Sequence, residues 1–138
     1  MTSEIEYVEK LRKSGLRPTK QRLKICNVLF NSDKTFHFTI NDLVKKIELV
    51  DNQKISLATV YNTVHAFEKK GYLKEIAINS SQTYFDTNTT DHHHFFDEKH
   101  KELIDLEDED VQPIKIKKTI PGKKIKSVEL LIRINSNN

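Results

Sequence analysis

Cysteine is almost absent from this 138-residue sequence, because Cys26 is its only example. The chain can therefore form neither an intrachain disulfide nor a zinc site built from cysteine pairs, and we expect Cys26 to be a buried apolar residue. No apolar run approaches the roughly 18 residues that a membrane-spanning helix needs. The opening segment MTSEIEYVEKLRKSG lacks the apolar stretch of a secretory signal. These absences predict a cytoplasmic protein without a membrane partner.

Basic residues are concentrated in the first part of the chain. Residues 1–90 contain 14 Lys and Arg against 10 Asp and Glu, whereas residues 91–138 contain 9 against 10. Seven basic residues follow one another between Lys10 and Lys24, and the next acidic residue is Asp33. Such a stretch suits a polyanion, although charge alone is explained equally well by a solvated helix face.

Hydrophobic spacing and capping residues predict three helices before residue 52. The first covers residues 4–14, and Thr19 is the expected cap of the second. Thr39 is the expected cap of the third, and Asp42 stands in the capping-box position that usually holds Glu. The apolar residues of the first helix repeat every three positions and predict its buried face: Ile5, Val8 and Leu11.

A fourth helix and a hairpin are predicted next. Ser56 caps the helix and Gly71 ends it, with a predicted buried face formed by Leu57, Val60, Val64 and Phe67. Residues 72–78 and 82–86 alternate apolar and polar side chains around a polar turn, as in a hairpin. Helices followed by a hairpin are typical of a winged helix-turn-helix, in which one helix enters the major groove of DNA.

The remaining residues predict a smaller α/β domain, so the overall fold class is α+β. Residues 92–96, 102–106 and 125–134 have the composition of strands, and the acidic run that begins at Glu107 predicts a short helix. Three short strands and one helix make a weak domain, so we expect a second copy to cover the sheet. We predict a winged-helix domain over 1–87, a hinge over 88–91 and a dimerisation domain over 92–138.

The exposed face of the fourth helix carries side chains that suit DNA. Small residues allow close approach, Asn reads adenine, and Thr or Tyr contacts thymine methyls or phosphates. Arg17 lies beside Pro18 in a link that can reach a minor groove, although an ordinary polar helix face remains an alternative. The predicted DNA contacts are Arg17, Lys20, Arg22, Ser56, Ala58, Thr59, Tyr61 and Asn62.

Three consecutive histidines follow the hinge. On a strand, His92 and His94 point to one side and His93 to the other. Two imidazoles on one side can bind a transition metal or a haem iron, whereas solvated histidine runs are the alternative. His37 and Asp86 are the best candidates for further ligands, and His92, His93 and His94 are the haem candidates.

Three segments carry a resemblance to a known family: GLRPTKQR at 15–22, SLATVYNTVHAF at 56–67 and TYFDTNTTDHHHFF at 83–96. Along nearly its whole length the chain resembles the ferric uptake regulator family. The third segment, with the closing IKSVELLIRI, is most similar to the haem-responsive iron response regulator branch. The resemblance implies a homodimer with winged-helix heads, and DNA contacts from Tyr61 and Arg17. Asn62 stands where many relatives have arginine.

The resemblance also implies a metal site at the hinge. Its ligands would be His37, Asp86, His92 and His94, with Asp105 as an additional ligand. A second metal site of the family is incomplete here. Asp91 and His93 align with its first ligands, but Gln112 and Val128 replace the usual acid and histidine.

We therefore expect a sequence-specific DNA-binding regulator of iron or haem homeostasis whose activity is set at the histidine cluster. The expected cofactor is iron, manganese or zinc, with haem as an alternative ligand. A metal-activated repressor indifferent to haem is the main alternative, and a peroxide sensor is a third. A metallohydrolase is disfavoured, because no His-Glu-x-x-His motif is present and no general base is paired with the histidines.

Overall fold

The computed structural model describes residues 4–136, and the chain divides into two compact units between Thr89 and Thr90. The first unit has the α+β winged-helix arrangement that the sequence predicts. Its elements are α1 (Glu4–Lys13), α2 (Lys20–Phe30), β1 (His37–Phe38), α3 (Ile40–Asp51), α4 (Leu57–Lys70), β2 (Lys74–Ala77) and β3 (Thr83–Asp86). Across the described residues, no helix is both long and apolar enough to cross a membrane.

The predicted helix caps are confirmed. The side chains of Thr19, Thr39 and Ser56 each accept a hydrogen bond from the backbone N–H three residues on. Asp42 completes a capping box by accepting from the Thr39 N–H at 3.2 Å. Gly71 ends α4 with φ of +87°, a left-handed conformation that glycine adopts without a Cβ penalty.

The core of the first unit lies between its four helices and β3. Tyr7 and Leu11, one turn apart, are the buried residues of α1, whereas Ile5 is 76% exposed. Ile5 was predicted to be buried, but it lies two residues from Tyr7, which places it about 200° around the helix. Leu57 is also an incorrect prediction, because this residue in the first turn of α4 is 56% exposed. The buried face of α4 begins at Val60.

Three antiparallel strands in the order β1-β3-β2 form the sheet of this unit. The hairpin β2–β3 was predicted, but β1 was not, because a strand of two residues leaves no alternating pattern to detect. Its register places His37 directly opposite Asp86 and Phe38 opposite Phe85. The pairing is extended by Thr87, whose N–H donates to the Phe36 carbonyl at 3.0 Å.

The second unit is a small sheet in the order β5-β4-β6. Its elements are β4 (His93–Asp97), β5 (Glu102–Leu106), a 3-10 helix (Asp108–Asp110) and β6 (Leu131–Ile134). Strand β4 is antiparallel to β5 and parallel to β6. The predicted strand over 125–134 is confirmed only in its last four residues, and the predicted helix is a single 3-10 turn.

Candidate metal centre and nucleic-acid interface

Two imidazoles and one carboxylate converge in the second unit. The Nε2 atoms of His92 and His94 lie 3.6 Å and 3.2 Å from Oδ1 of Asp105, and the two rings are 4.4 Å apart between centroids. Both histidines are buried, whereas the Asp105 side chain is 38% exposed. Strand register explains the convergence, because His94 pairs with Asp105 across β4 and β5 and His92 lies two residues before His94.

The His92 ring is held in one tautomer by the backbone. Its Nδ1 lies 2.8 Å from the carbonyl oxygen of Thr90, so Nδ1 must carry the proton and donate it. Nε2 of that tautomer has a lone pair, which is the form in which imidazole binds metals. A hydrogen bond from the other ring nitrogen to a carbonyl is a common way to orient a metal-binding histidine.

His93 points to the opposite side of β4, as strand alternation predicts, and both of its ring nitrogens are engaged. The backbone N–H of Leu130 donates to Nδ1 at 3.0 Å, so the proton of the neutral ring resides on Nε2. Nε2 lies 3.2 Å from Oδ1 of Asp108 and donates to it. His93 therefore links β4 to the 3-10 helix and to the residue before β6, and an iron atom could bind it only if one of these bonds broke.

In the first unit, the pairing of β1 with β3 brings His37 and Asp86 side by side. Directly opposite residues of antiparallel strands have Cβ atoms about 4.5–5.5 Å apart. Asp86 is only 1% exposed, and its Oδ1 accepts a hydrogen bond from the Asn88 N–H at 2.8 Å. The first unit thus presents an imidazole and a buried carboxylate at the end of β3.

The donors of the second unit suit a divalent transition metal. The ligand atoms of His92, His94 and Asp105 all lie within 4.8 Å of one another. Two borderline imidazole nitrogens and a hard carboxylate oxygen form a mixed ligand set that accepts iron, manganese or zinc. The arrangement leaves coordination positions for additional oxygen or nitrogen ligands, since such metals take four to six.

The candidate DNA-binding surface is the outer face of α4. Ala58, Tyr61 and Asn62 are exposed, and Thr59 is half-buried. Ser56 is exposed, but its hydroxyl accepts from the Thr59 N–H at 3.2 Å and therefore caps the helix. A groove of about 590 Å³ runs beside Leu57 and Tyr61 and reaches the hairpin turn at Ser80 to Thr83. This surface has the shape of a winged helix-turn-helix, with the hairpin as its wing.

The basic residues before and within α2 differ in exposure and in hydrogen bonding. Arg17 and Lys20 are exposed. Arg22 is half-buried, and its Nη1 donates to the carbonyl oxygen of Arg17 at 2.9 Å. Arg22 therefore fixes the link that carries Arg17, a role that its charge alone did not indicate.

Sequence reasoning missed the partners of His93 and the surroundings of His65. Nothing in the spacing connects His93 with Asp108 or with the backbone of Leu130, because these contacts depend on how the chain folds back. The structure places the His65 ring between the rings of Tyr61 and Phe85. The (i, i+4) spacing of Tyr61 and His65 was the one available signal.

The shifted pKa values of three other titratable groups have structural explanations. Burial raises the pKa of the Cys26 thiol to about 12, so this cysteine is an inert core residue, as predicted. In the turn after β4, Oδ2 of Asp97 lies 2.9 Å from Nδ1 of His100. This hydrogen bond lowers the pKa of Asp97 and raises the pKa of His100.

The family model described as the ferric uptake regulator family matches residues 13–133. The peroxide operon regulator of Bacillus subtilis (strain 168) is 35% identical over 101 residues, covering 73% of this chain and 68% of that protein. The ferric uptake regulator of Vibrio cholerae gives a TM-score of 0.69 at 22% identity, covering 94% of this chain and 98% of that chain. The ferric uptake regulator from Pseudomonas aeruginosa, solved with manganese, gives 0.66 at 22% identity, covering 96% and 98%. At such identities the two structures establish a shared fold.

Proposed function

Since this chain belongs to the ferric uptake regulator family, whose members are transcription regulators and not enzymes, we propose that it is a metal-activated repressor. In this proposal the chain forms a homodimer and binds operator DNA when a divalent metal fills its histidine site. The convergence of His92, His94 and Asp105 in the second unit is the observation that carries the proposal.

His37 and Asp86 complete the proposed ligand set from the first unit. Their pairing across β1 and β3 supports this assignment, as does the burial of the Asp86 carboxylate. Asp86 precedes His92 by six residues, so one short connection carries ligands from both units. A divalent cation supplies positive charge and several coordination positions. In this proposal the two ligands of the first unit and the three of the second bind one cation, which restricts the movement of the winged-helix unit. In a dimer, this restriction sets the spacing of the two α4 helices across a two-fold symmetric operator.

The DNA-binding half of the proposal is supported by exposure and charge. Tyr61 and Asn62 lie on the outer face of α4, and Arg17 and Lys20 provide exposed positive charge in the same unit. Asn can make two hydrogen bonds to adenine in the major groove, and lysine and arginine contact phosphates. Operator binding should therefore weaken steeply as salt is added.

We favour metal activation over haem sensing because of His93. Its two nitrogens already bond to Leu130 and Asp108, which removes one member of the histidine run from the set that could hold a haem iron. The relative in Bacillus subtilis is a peroxide operon regulator. Peroxide sensing through an iron-loaded site is accordingly the second candidate function. Haem sensing is tested separately, by adding haem to the DNA complex.

The test begins with selection of a duplex from a random-sequence pool by the manganese-loaded protein. Fluorescence anisotropy then measures the affinity for that duplex. We expect a chelator, or the double substitution His92→Ala and His94→Ala, to weaken binding by at least tenfold, while His100→Ala binds as the wild type does. Binding that is indifferent to both the chelator and the double substitution would overturn metal activation.

Two further additions separate the alternatives. Peroxide should release DNA from the iron-loaded protein but not from the manganese-loaded protein if the second candidate is correct. Haem should leave the affinity unchanged under the metal-activated proposal. Loss of binding on adding haem, abolished in the His92 and His94 double variant, would instead establish haem sensing.

A further inference from the structure

Three aromatic rings form a continuous stack from the core of the first unit to the surface of α4. Phe85 on β3 is 1% exposed and belongs to the buried core cluster. The His65 ring meets Phe85 edge-on, with centroids 5.6 Å apart and an interplanar angle of 84°. On its other side, His65 lies 4.1 Å from the ring of Tyr61, which is 52% exposed. The stack thus ends at the predicted DNA-contacting side chain.

The innermost ring of this stack is itself held from below. Phe38 on β1 stacks on Phe85 with centroids 6.0 Å apart and an interplanar angle of 29°, and the two residues are cross-strand partners. Phe38 and Phe85 therefore provide a rigid base for the half-buried His65. Tyr61, which is one helical turn before His65, lies against the imidazole on its outer side and is 52% exposed.

An exposed tyrosine on a helix ordinarily exchanges between side-chain rotamers. Contact with His65 favours the rotamer in which the Tyr61 ring lies over the imidazole, because aromatic pairs attract one another beyond the area they bury. Restricting the ring before DNA arrives reduces the conformational entropy lost on binding. A side chain fixed in advance also presents its edge and hydroxyl to one position of the duplex.

We propose that His65 is a positioning residue for DNA recognition: braced by Phe85, its ring fixes the orientation of Tyr61 on the outer face of α4. His65 need not touch DNA in this role. The inference deepens the proposed function and rests on it, since it assigns a residue to the operator-binding surface.

The first test uses affinity for the duplex selected by the wild-type protein, with manganese bound in every variant. We expect His65→Ala to weaken binding about three- to tenfold, as the loss of an aromatic pair allows. His65→Phe keeps a ring at this position and should bind within about twofold of wild type on the same scale. Alanine has a higher helix propensity than histidine, so weaker DNA binding by His65→Ala cannot be attributed to a lower helix propensity of α4. His100→Ala is the matched control.

A double-mutant cycle separates positioning from a general structural effect. In a Tyr61→Ala background, His65→Ala should cause no further loss of affinity, because the side chain that it positions is gone. An equal loss in both backgrounds would overturn the proposal. Weak binding by His65→Phe, equal to that of His65→Ala, would overturn it as well.

A measurement without DNA keeps the inference testable if the proposed function fails. Fluorotyrosine incorporated into the chain gives one 19F NMR signal for each of its four tyrosines, and Tyr61→Phe identifies the signal of Tyr61. His65→Ala should move that signal towards the position of free fluorotyrosine, while the other three remain in place. A Tyr61 signal unaffected by His65→Ala would show that the ring is not held. A protein that selects no duplex would contradict the proposed function alone.

Discussion

The two units of this chain bury different kinds of side chain. In the first unit, thirteen buried apolar residues form one cluster between the helices and β3, which is enough for a core of its own. In the described part of the second unit, Phe96 and Leu103 are the only buried apolar residues, and three buried histidines lie beside them. Several isoleucines of the second unit are exposed instead, namely Ile104, Ile114, Ile116, Ile120, Ile125 and Ile132.

This difference indicates what each unit needs in order to be stable. Apolar burial stabilises a fold without any ligand, at about 25 cal/mol for each Å² removed from water. Buried imidazoles cost free energy unless hydrogen bonds or a metal compensate them. The stability of the second unit should therefore depend on metal and on a covering surface more strongly than that of the first unit, which also has a large apolar core.

The largest expected effect is the loss of a core side chain in the first unit. Phe67 is fully buried, so Phe67→Ala should lower the free energy of unfolding of this unit by about 3–5 kcal/mol. All four tyrosines precede residue 90 and tryptophan is absent, so tyrosine fluorescence during urea denaturation reports on the first unit. The control Leu57→Ala should change the free energy by no more than about 0.5 kcal/mol, because that side chain is exposed. Equal effects of the two would contradict the core described above.

Removal of the metal comes next and should affect the second unit more than the first. A metal at a free concentration of 100 to 1,000 times its dissociation constant stabilises the folded form that binds it by about 2.7–4.1 kcal/mol. Adding a chelator should therefore accelerate hydrogen exchange at the amides of β4 far more than at those of α2. The double variant His92→Ala and His94→Ala should show no such response. Uniform acceleration throughout the chain would mean that the two units do not differ in this way.

Substitution of His93 should have a smaller effect, again confined to the second unit. His93→Ala leaves the part-buried Leu130 N–H without its acceptor, and such a donor costs up to about 1–3 kcal/mol when water cannot replace the lost bond. His93→Asn, whose amide oxygen can replace Nδ1 as acceptor, should recover part of this loss. Thermal unfolding followed by histidine ring signals in NMR provides the measurement. If His93→Ala were as stable as wild type, the link between β4 and the residue before β6 would contribute nothing.

The smallest effect concerns the pair formed by the half-buried Asp97 and the exposed His100. The carboxylate raises the pKa of His100, so the contribution of this histidine is complete below its unfolded value of 6.5 and disappears as pH rises through the raised pKa. The hydrogen bond lowers the pKa of Asp97, whose contribution is lost as pH falls through the lowered value. The pair is therefore most effective between about pH 4 and 6.5. NMR titration should place the pKa of His100 above 6.5, and Asp97→Asn should return it towards that value.

The sequence predicted the first unit well because its signals are local. Caps at Thr19, Thr39 and Ser56, and the stop at Gly71, are formed by residues within one turn of each other, and all are present in the structure. Predictions of burial were less accurate. Ile5 and Leu57 have the right residue type for a core, but exposure depends on which neighbouring elements cover each turn of the helix.

Predictions about the candidate site were likewise correct where the signal was local and incomplete where it was not. Alternation along a strand predicted that His92 and His94 share one side of β4, and their contacts with Asp105 confirm it. The opposition of His37 and Asp86 was not visible, because β1 has only two residues and its register depends on pairing with a distant strand. The assignment of these residues as ligands remains a prediction.

Local order in the chain was enough to establish four helices, the caps of three of them, a hairpin and an alternating histidine run, because each depends on dihedral preferences and on neighbours a few residues away. Tertiary structure alone decided what those histidines contact. Packing between distant segments placed Asp105 beside two of them and Leu130 beside the third, and it placed His65 between the core and Tyr61. Contacts of this kind depend on distances across the fold, and no short stretch of sequence encodes them.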